Sequence, residues 1–458
     1  MGQVLGQIKK EIDRFDWFAV VILVGALLAR IIWMMRTETV QLFDFANYHM
    51  VARNIALGYG HTMHGLPVAW QGSGYPLVLG MFYRLVGTAT VRAGQWLNVV
   101  FSMGTLVFAT LIYRKVFSAK GFYLLALGIT AFLPQYIAYV NVLGTEVFFT
   151  LVLAVLIWAQ LYLLDDKVTL KWQTISLVFI GVLTGVATLT RPFMLAYPVI
   201  LGVLSYSRNK QIKRALAYAA FCFMFTALTV APWTWRNYQQ FGRFIPVSYN
   251  GGYVLFINNN DINVSGGWMD PRWATVHHPE RHEILVAAHV DRTIHQIHEI
   301  EPYLNRWARE WILANPLEYL KMGVLRVNTT FFSGANDIPQ WAANVTPLSN
   351  PNLTELERAW YQRNHNFLEA YASMVLHVLV GGCMIFMMVN LKRYFLVIFS
   401  QKAPLDLLTS VMFINFAFFG VIIFLYEGQP RYVFPVFLFI IPACVRVMEG
   451  LVEKHAEG

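Results

Sequence analysis

Apolar segments of about twenty residues recur along the chain and are separated by short polar connections. Such a segment matches a bilayer core, because a helix rises about 1.5 Å per residue and the core is about 30 Å thick. The pattern predicts about ten membrane-spanning helices, at residues 17–36, 89–113, 121–140, 143–164, 173–189, 190–206, 214–233, 369–391, 405–426 and 430–448. Pro192 separates the fifth helix from the sixth, although one kinked helix would fit the same residues.

Two connections are much longer than the others and cover residues 37–88 and 234–368. Several short connections are basic instead. Their basic residues form three clusters, which are Arg114, Lys115 and Lys120; Arg208, Lys210, Lys213 and Arg214; and Lys392, Arg393 and Lys402. Because cytoplasmic connections are rich in Lys and Arg, we expect these clusters and both chain termini in the cytoplasm. The two long connections would then lie on the external side.

This topology divides the chain into three regions. An N-terminal transmembrane module would cover residues 1–233 and include the first external loop, residues 37–88. An external, mainly helical cap would follow at residues 234–368, and the remaining transmembrane helices would occupy residues 369–458. The fold class predicted from the pattern is an all-α polytopic membrane protein.

The first external loop has apolar residues at helical spacing in two places. They predict helices over residues 45–57 and 75–87, both suited to lying along the membrane surface. Asp44 stands where the first of these helices begins, a position that a helix N-cap would explain. We expect its backbone to start the helix while its carboxylate faces an external cavity. Gly58 and Gly60 are expected to end this helix.

Composition supports a membrane protein and argues against other classes. Hydrophobic residues make up 57% of the 458 residues and charged residues only 13%, whereas soluble domains have about 25% charged residues. The net charge of +9 does not indicate nucleic-acid binding, because the basic residues flank apolar segments. The three cysteines lie within apolar segments and imply no disulfide framework.

Several ionisable residues fall at the external ends of the predicted spans. They are Arg30, Asp44, Glu146, Arg191, Arg236, Glu427 and Arg431. Each alone could be an interfacial charge reaching for water or a paired charge. Together they predict an external cavity, since ionisable residues near the hydrocarbon core usually face a protein interior or water.

The chemistry of this set favours transfer of a sugar from a lipid phosphate. Arginine suits a phosphate because its planar fork donates two parallel hydrogen bonds, and we expect Arg191, Arg236 and Arg431 to bind it. A carboxylate nearby can take the proton of an incoming hydroxyl or amine. Asp44 is the candidate base.

A set of motifs in a fixed order resembles the GT-C superfamily of membrane glycosyltransferases, over about residues 20 to 448. The nearest branch is the bacterial one related to protein O-mannosyltransferases and lipid A aminoarabinose transferase. The resemblance lies in the segments DFANYHMVARNIALGYG, PVAWQGSGYPLVLGMFYRLVG, GVATLTRPFMLAYP, APWTWRNYQQFGRFIPVSYNGGYVLFINNN, ILANPLEYLKM and RYVFPVFLFIIP.

The resemblance implies a GT-C-type helical bundle whose first external loop holds the catalytic carboxylate, at Asp44. It implies a polyprenyl-phosphate-linked sugar donor and transfer with inversion, without a covalent intermediate. Arg191 and Arg431 match positions around the donor. Further contacts to the sugar or acceptor are expected from Tyr48, Glu146, His64, Tyr75, Asn250, Glu427 and Tyr432. Relatives often have Asp-Glu where this chain has Asp44 and Phe45, and the first external loop contains no lysine.

A metal site has weak support. The pairs His278/His282 and His295/His298 have helical spacing that could hold zinc, but a solvated helix face explains them better. No cofactor is expected, and a divalent cation is not indicated. The expected partners are the lipid-linked donor, membrane lipid, and a cell-envelope glycan, lipid or protein as acceptor.

Two other classes remain open from the residues. A lipid-linked glycan transporter or flippase would also be polytopic, but it should have related halves and charges at the midplane. A non-catalytic scaffold with the same fold would tolerate the loss of Asp44. Transfer of a whole oligosaccharide instead of one sugar is poorly separated by sequence.

Overall fold

The computed structural model describes residues 16–165, 168–287, 297–345, 354–399 and 407–456. The described chain is almost entirely helical, and its one sheet is a hairpin in which Thr62–Met63 (β1) pairs antiparallel with Leu66–Pro67 (β2). The prediction of an all-α polytopic membrane protein is confirmed.

Seventeen α-helices are described. They are α1 (Trp17–Arg36), α2 (Asp44–Ala56), α3 (Gly74–Val86), α4 (Val91–Val116), α5 (Lys120–Ala131), α6 (Pro134–Ala138), α7 (Thr145–Leu163), α8 (Leu170–Thr190), α9 (Tyr197–Asn209), α10 (Ile212–Phe241), α11 (Gly251–Asn258), α12 (Pro279–Ala287), α13 (Ile297–Ala314), α14 (Pro316–Phe332), α15 (Glu355–Phe399), α16 (Leu407–Leu425) and α17 (Phe437–Ala456). Short 3₁₀ segments lie at Tyr139–Asn141, Pro192–Ala196, Trp273–Thr275 and Pro430–Val436, and a π-helical turn at Ile338–Ala342.

Seven of the described helical segments are long and apolar enough to cross a membrane, or eight if α5 and the segment Pro134–Asn141, bent by 49°, form one span. The two other predicted spans correspond to shorter elements. Helix α8 ends at Thr190, before Arg191, and the next helix, α9, has only 13 residues. The apolar segment Ser410–Leu425 is also shorter than a full span. The predicted ten spans require both of these to cross.

The two helices predicted in the connection of residues 37–88 are present one residue earlier than expected, as α2 and α3. They pack closely because Gly80 has no side chain, and a Cβ there would lie 2.8 Å from the carbonyl oxygen of Ala52. Gly58 and Gly60, with φ of 88° and 72°, follow the end of α2 as predicted.

The buried apolar residues form one large core in the helical bundle, a second core mainly in the cap, and two small clusters around Ala26 and Met34 of α1. The second core contains Met63 and Val68 from the first loop together with Trp307 of α13. The first loop is therefore held between the bundle and the cap. The predicted boundaries at residues 233 and 368 both fall inside helices, α10 and α15, and the division into three regions stays a prediction.

Candidate functional site

The strap between α1 and α2, residues 37–43, is fixed by side-chain hydrogen bonds on both sides. Gln41 donates to the carbonyl oxygen of Asn141 at 2.9 Å and accepts from the backbone N–H of Leu143 at 2.8 Å. Thr39 donates to the carbonyl oxygen of Ala342 at 2.6 Å. These bonds determine where α2 begins, and Asp44 is its first residue.

Asp44 is the first residue of α2, as expected, and its side chain does not cap that helix. The N-cap residue is Phe43, and among the described residues no side chain accepts a capping hydrogen bond there. The Asp44 carboxylate instead accepts a hydrogen bond from Nη2 of Arg431 at 3.0 Å. Its side chain is 36% exposed and that of Arg431 only 13%. The Asp44 carboxylate is therefore the more accessible member of the ion pair, and the Arg431 guanidinium is the more buried one.

Arg431 lies in the 3₁₀ segment Pro430–Val436, which leads into α17. Its Nε donates to Oε1 of Gln429 at 2.7 Å, and Nε2 of Gln429 donates to Glu427 at 2.7 Å. The Tyr432 hydroxyl also donates to Glu427. This small network holds Arg431 toward Asp44, and Gln429 was not anticipated from sequence.

A second ion pair joins Glu146, in the first turn of α7, to Arg191, at the end of α8. Nη2 of Arg191 lies 2.9 Å from Oε1 of Glu146, and the two side chains are 17% and 3% exposed. Oε2 of Glu146 and Nε of Arg191 have no partner in the described structure. The pair fits closely because Gly144 has no side chain, and a Cβ there would lie 2.4 Å from Oε2 of Glu146.

The ring of Tyr432 connects the two ion pairs. Its centre lies 5.3 Å from Cζ of Arg191 and 5.7 Å from Cζ of Arg431, both cation–π distances. Tyr48, one turn after Asp44 on α2, is buried and meets the ring of Tyr75 edge-on at 5.9 Å. Burial raises the pKa of Tyr48, and Asp44 adds to the increase.

A glycine-rich turn of the first loop packs against the end of α8. A Cβ on Gly72 would lie 2.5 Å from the carbonyl oxygen of Thr190, and one on Gly74 would lie 2.3 Å from its Oγ1. Such distances leave no room for a side chain. The turn therefore supports the residue that directly precedes Arg191.

Asp337 is a buried carboxylate near this site that sequence reasoning missed. It accepts a hydrogen bond from the Tyr139 hydroxyl at 2.6 Å and is 4% exposed. Burial raises the pKa of Asp337 to about 6, the hydrogen bond from Tyr139 lowers it, and the charges of Glu146 and Arg431 also act on it. The sequence contained one indication of this residue, since Asp337 is the single acid in the segment FFSGANDIPQW.

Other predicted residues lie elsewhere. Arg236 donates to the carbonyl oxygens of His61 at 2.8 Å and Val68 at 3.0 Å, so it fastens the β1–β2 hairpin to α10. His64 is at the tip of that hairpin with φ of 50°.

Asn250 precedes α11 and its side-chain oxygen accepts a hydrogen bond from the Ser248 hydroxyl at 2.9 Å. Arg30 is fully buried in the bundle and donates to the carbonyl oxygen of Ala131.

The histidines considered for zinc have other contacts. His278 pairs with Asp261 at 3.2 Å and His282 contacts Thr275 at 3.0 Å. His295 lies outside the described residues. Within the described ranges, no group of three or more His, Cys, Asp or Glu side chains could hold a metal ion.

Comparison with solved structures identifies the fold. The oligosaccharyltransferase of Archaeoglobus fulgidus in the apo form superposes with a TM-score of 0.52 at 12% identity, over 96% of this chain and 52% of that chain. The same enzyme tethered to an acceptor peptide containing the NVT sequon gives 0.51 at 13% identity, over 96% and 50%. The fold is of the GT-C type. The chain spans about half the length of these oligosaccharyltransferase structures.

A weaker similarity relates this GT-C-type chain to ArnT from Cupriavidus metallidurans bound to undecaprenyl phosphate, with a TM-score of 0.46 at 14% identity, over 94% of this chain and 78% of that chain. No protein-family model matches the sequence, and no curated protein matches it significantly.

Proposed function

We propose that this chain is a glycosyltransferase that moves a sugar from a polyprenyl-phosphate donor to an acceptor at the external face of the membrane. The observation that carries the proposal is the Asp44–Arg431 ion pair, with its carboxylate at the open side and a second arginine across the Tyr432 ring. The GT-C-type fold supports it.

In the proposed reaction Arg431 exchanges one anion for another. The donor phosphate takes the guanidinium of Arg431, and the Asp44 carboxylate is released toward the acceptor. A bidentate contact to phosphate favours this exchange. Arg191 would supply the second cation, since its Nε has no hydrogen-bond partner among the described residues while its Nη2 donates to Glu146.

Asp44 then acts as general base. It accepts the proton of the acceptor hydroxyl or amine while that atom bonds to the anomeric carbon. The bond from the anomeric carbon to the phosphate oxygen breaks, and its electron pair stays on the phosphate. The two arginines stabilise the charge that the leaving phosphate gains. Attack from the side opposite the phosphate inverts the anomeric carbon.

The site is proposed to face outward because the basic clusters belong to the other ends of the helices. Arg114 and Lys115 lie in the last turn of α4, and Arg208 in the last turn of α9. The site lies at the other end of the helices. Its residues stand near the starts of α2, α7 and the 3₁₀ segment before α17 (Asp44, Glu146 and Arg431) and between the end of α8 and the start of α9 (Arg191). By the positive-inside rule this end is external and both termini are cytoplasmic.

The proposal is tested with purified protein and a panel of polyprenyl-phosphate sugars mixed with a cell-envelope acceptor fraction. Release of polyprenyl phosphate is measured for the native chain, Arg431→Lys and the pair Arg191→Gln/Arg431→Gln. We expect release with the native chain, weaker release with the lysine variant and none with the double variant. Release of no lipid phosphate from any donor by the native chain would contradict transfer and favour a scaffold or transporter.

A further inference from the structure

Phe43 has an unusual backbone conformation directly before Asp44. Its φ is 47° and its ψ −118°, a region that bulky residues rarely adopt. Two other described non-glycine residues have positive φ. His64 is in a hairpin turn and Lys210 ends α9, where this conformation is common. Phe43 is instead at the start of a helix. Strain of this kind, held by surrounding structure, points to a functional role for the side chain.

The conformation presents the Phe43 ring to the outside of the site. The residue is 76% exposed, and its ring meets Trp341 edge-on with centres 6.1 Å apart. Trp341 also meets the buried ring of Phe45 edge-on at 5.5 Å. Cζ of Arg431 lies 5.4 Å from the centre of that ring. The three rings form a continuous aromatic wall that runs from solvent to the arginine paired with Asp44.

The position of the wall is fixed by hydrogen bonds from the strap to the segment that carries Trp341. The backbone N–H of Val40 donates to Oδ1 of Asn344, and Nδ2 of Asn344 donates back to the carbonyl oxygen of Val40, both at 2.9 Å. Thr39 donates to Ala342. Phe43 and Trp341, nearly three hundred positions apart in the sequence, are thereby held against each other.

We propose that the exposed Phe43 ring, backed by Trp341 and the buried Phe45, is the sugar-binding surface of the site and stacks on the C–H face of the donor pyranose. The inference rests on the proposed function. A pyranose presents a cluster of C–H groups on one face, and an aromatic ring offers it a rigid apolar surface. The three rings lead from Phe43 to the guanidinium that donates to the Asp44 carboxylate, so a sugar on the Phe43 ring would lie at the approach to the candidate base.

The test compares two lipids that differ only in the sugar. Binding of a short-chain polyprenyl-phosphate hexose, with glucose and mannose tried in parallel, is measured against binding of the same polyprenyl phosphate without sugar. Phe43→Leu keeps an apolar side chain, Phe43→Tyr keeps the ring, and Phe43→Gly fits the positive φ without strain. Leu42→Ala, at a neighbouring residue that is 37% exposed, is the control.

We expect Phe43→Leu and Phe43→Gly to bind the sugar-bearing lipid about tenfold more weakly, with unchanged binding of the bare lipid. Phe43→Tyr and Leu42→Ala should bind both as the native chain does, and all variants should keep the native melting temperature or exceed it. Equal loss for both lipids would make Phe43 a membrane contact and overturn the sugar surface. Unchanged affinity for both in Phe43→Leu and Phe43→Gly would overturn it too, with the proposed function intact. Failure of the native chain to bind either lipid would overturn both.

Discussion

The carboxylate of Asp44 and the guanidinium of Arg431 lie 3.0 Å apart although 387 positions separate them in the sequence. One belongs to the long connection after α1 and the other to the turn before the last described helix. The Asp44 contact is one of two similar arginine–carboxylate pairs that meet at the ring of Tyr432. A site assembled from such distant segments depends on how well the elements that carry them are supported.

The Glu146–Arg191 pair is expected to matter for stability as well as for activity. Removal of one partner leaves an uncompensated charge at a site where both side chains are at most 17% exposed, which typically costs about 3–5 kcal/mol. Arg191→Gln should therefore lower the melting temperature clearly, and Glu146→Gln/Arg191→Gln should recover part of the loss.

Asp270→Asn provides the control for this prediction, because its partner Arg272 is half exposed and such surface pairs contribute about 0–1 kcal/mol. Thermal unfolding of the four proteins in one detergent makes the comparison. A double variant as unstable as Arg191→Gln would mean that the lost packing, and not the unpaired charge, is responsible.

The glycine-rich turn before α3 is expected to position Arg191. In Gly74→Ala the new methyl group would lie 2.3 Å from Oγ1 of Thr190, so the turn or the end of α8 must move. Displacement of a binding group by about 1 Å can cost a hundredfold in rate, and we expect a loss of that order in lipid phosphate release. Gly128→Ala, where no atom of a described residue outside its own helical turn lies within 4 Å of the added Cβ, should keep native activity. Equal activity of the two variants would mean that the glycine-rich turn does not position Arg191.

Asp337 gives a pH dependence with a definite sign. Its pKa is raised from 3.8 to about 6 in the folded chain, so the neutral carboxyl stabilises the fold. That contribution is complete below pH 3.8 and is lost as the pH rises through about 6. Asp337→Asn stays neutral and can still accept the Tyr139 hydrogen bond. It should exceed the native chain in stability at pH 7.5, by about 3 kcal/mol at most, and match it near pH 4.

Melting temperatures of the native chain and Asp337→Asn across pH 4 to 8 measure this difference. A gap that widens with rising pH is the expected result. A variant less stable than the native chain at pH 7.5 would mean that Asp337 is stabilised as an anion, as a charge partner of Arg431 would be.

Arg236 has two candidate roles, as an anchor of the β1–β2 hairpin and as a ligand of the lipid phosphate. Its hydrogen bonds to His61 and Val68 predict that Arg236→Gln loosens the β1–β2 hairpin, with faster proteolysis of residues 59–70 and unchanged binding of polyprenyl phosphate. A phosphate ligand would give the reverse pattern, with weaker lipid binding and a protected hairpin. Limited proteolysis and lipid binding on the same preparation distinguish the two.

Sequence patterns predicted the helical membrane fold and the helices of the first loop because both depend on local periodicity. The charged residues Asp44, Glu146, Arg191 and Arg431 were identifiable because ionisable groups at the ends of apolar segments are costly and therefore conspicuous. Their pairing was not predictable, since it depends on which helix ends meet in space.

The side chain of Asp44 does not cap α2, as acidic residues at the start of a helix often do, because the nearby guanidinium of Arg431 offers a stronger, charge-assisted hydrogen bond. Arg236 was grouped with the phosphate ligands by its place after an apolar segment, and that role stays a prediction. The hairpin whose carbonyl oxygens it binds is formed by residues far away in sequence. Asp337 and Trp341 were missed because the turn that contains them has no periodic pattern.

The role of Asp44 as general base is tested most directly by measuring donor binding and single-turnover release of lipid phosphate together, in the native chain and in Asp44→Asn. A general base contributes about 10²- to 10⁴-fold to rate. We therefore expect release to fall by at least a hundredfold in Asp44→Asn, while donor affinity is retained or increased because Arg431 no longer has a competing carboxylate. Native release from Asp44→Asn would contradict the account and leave Asp44 as a structural partner of Arg431.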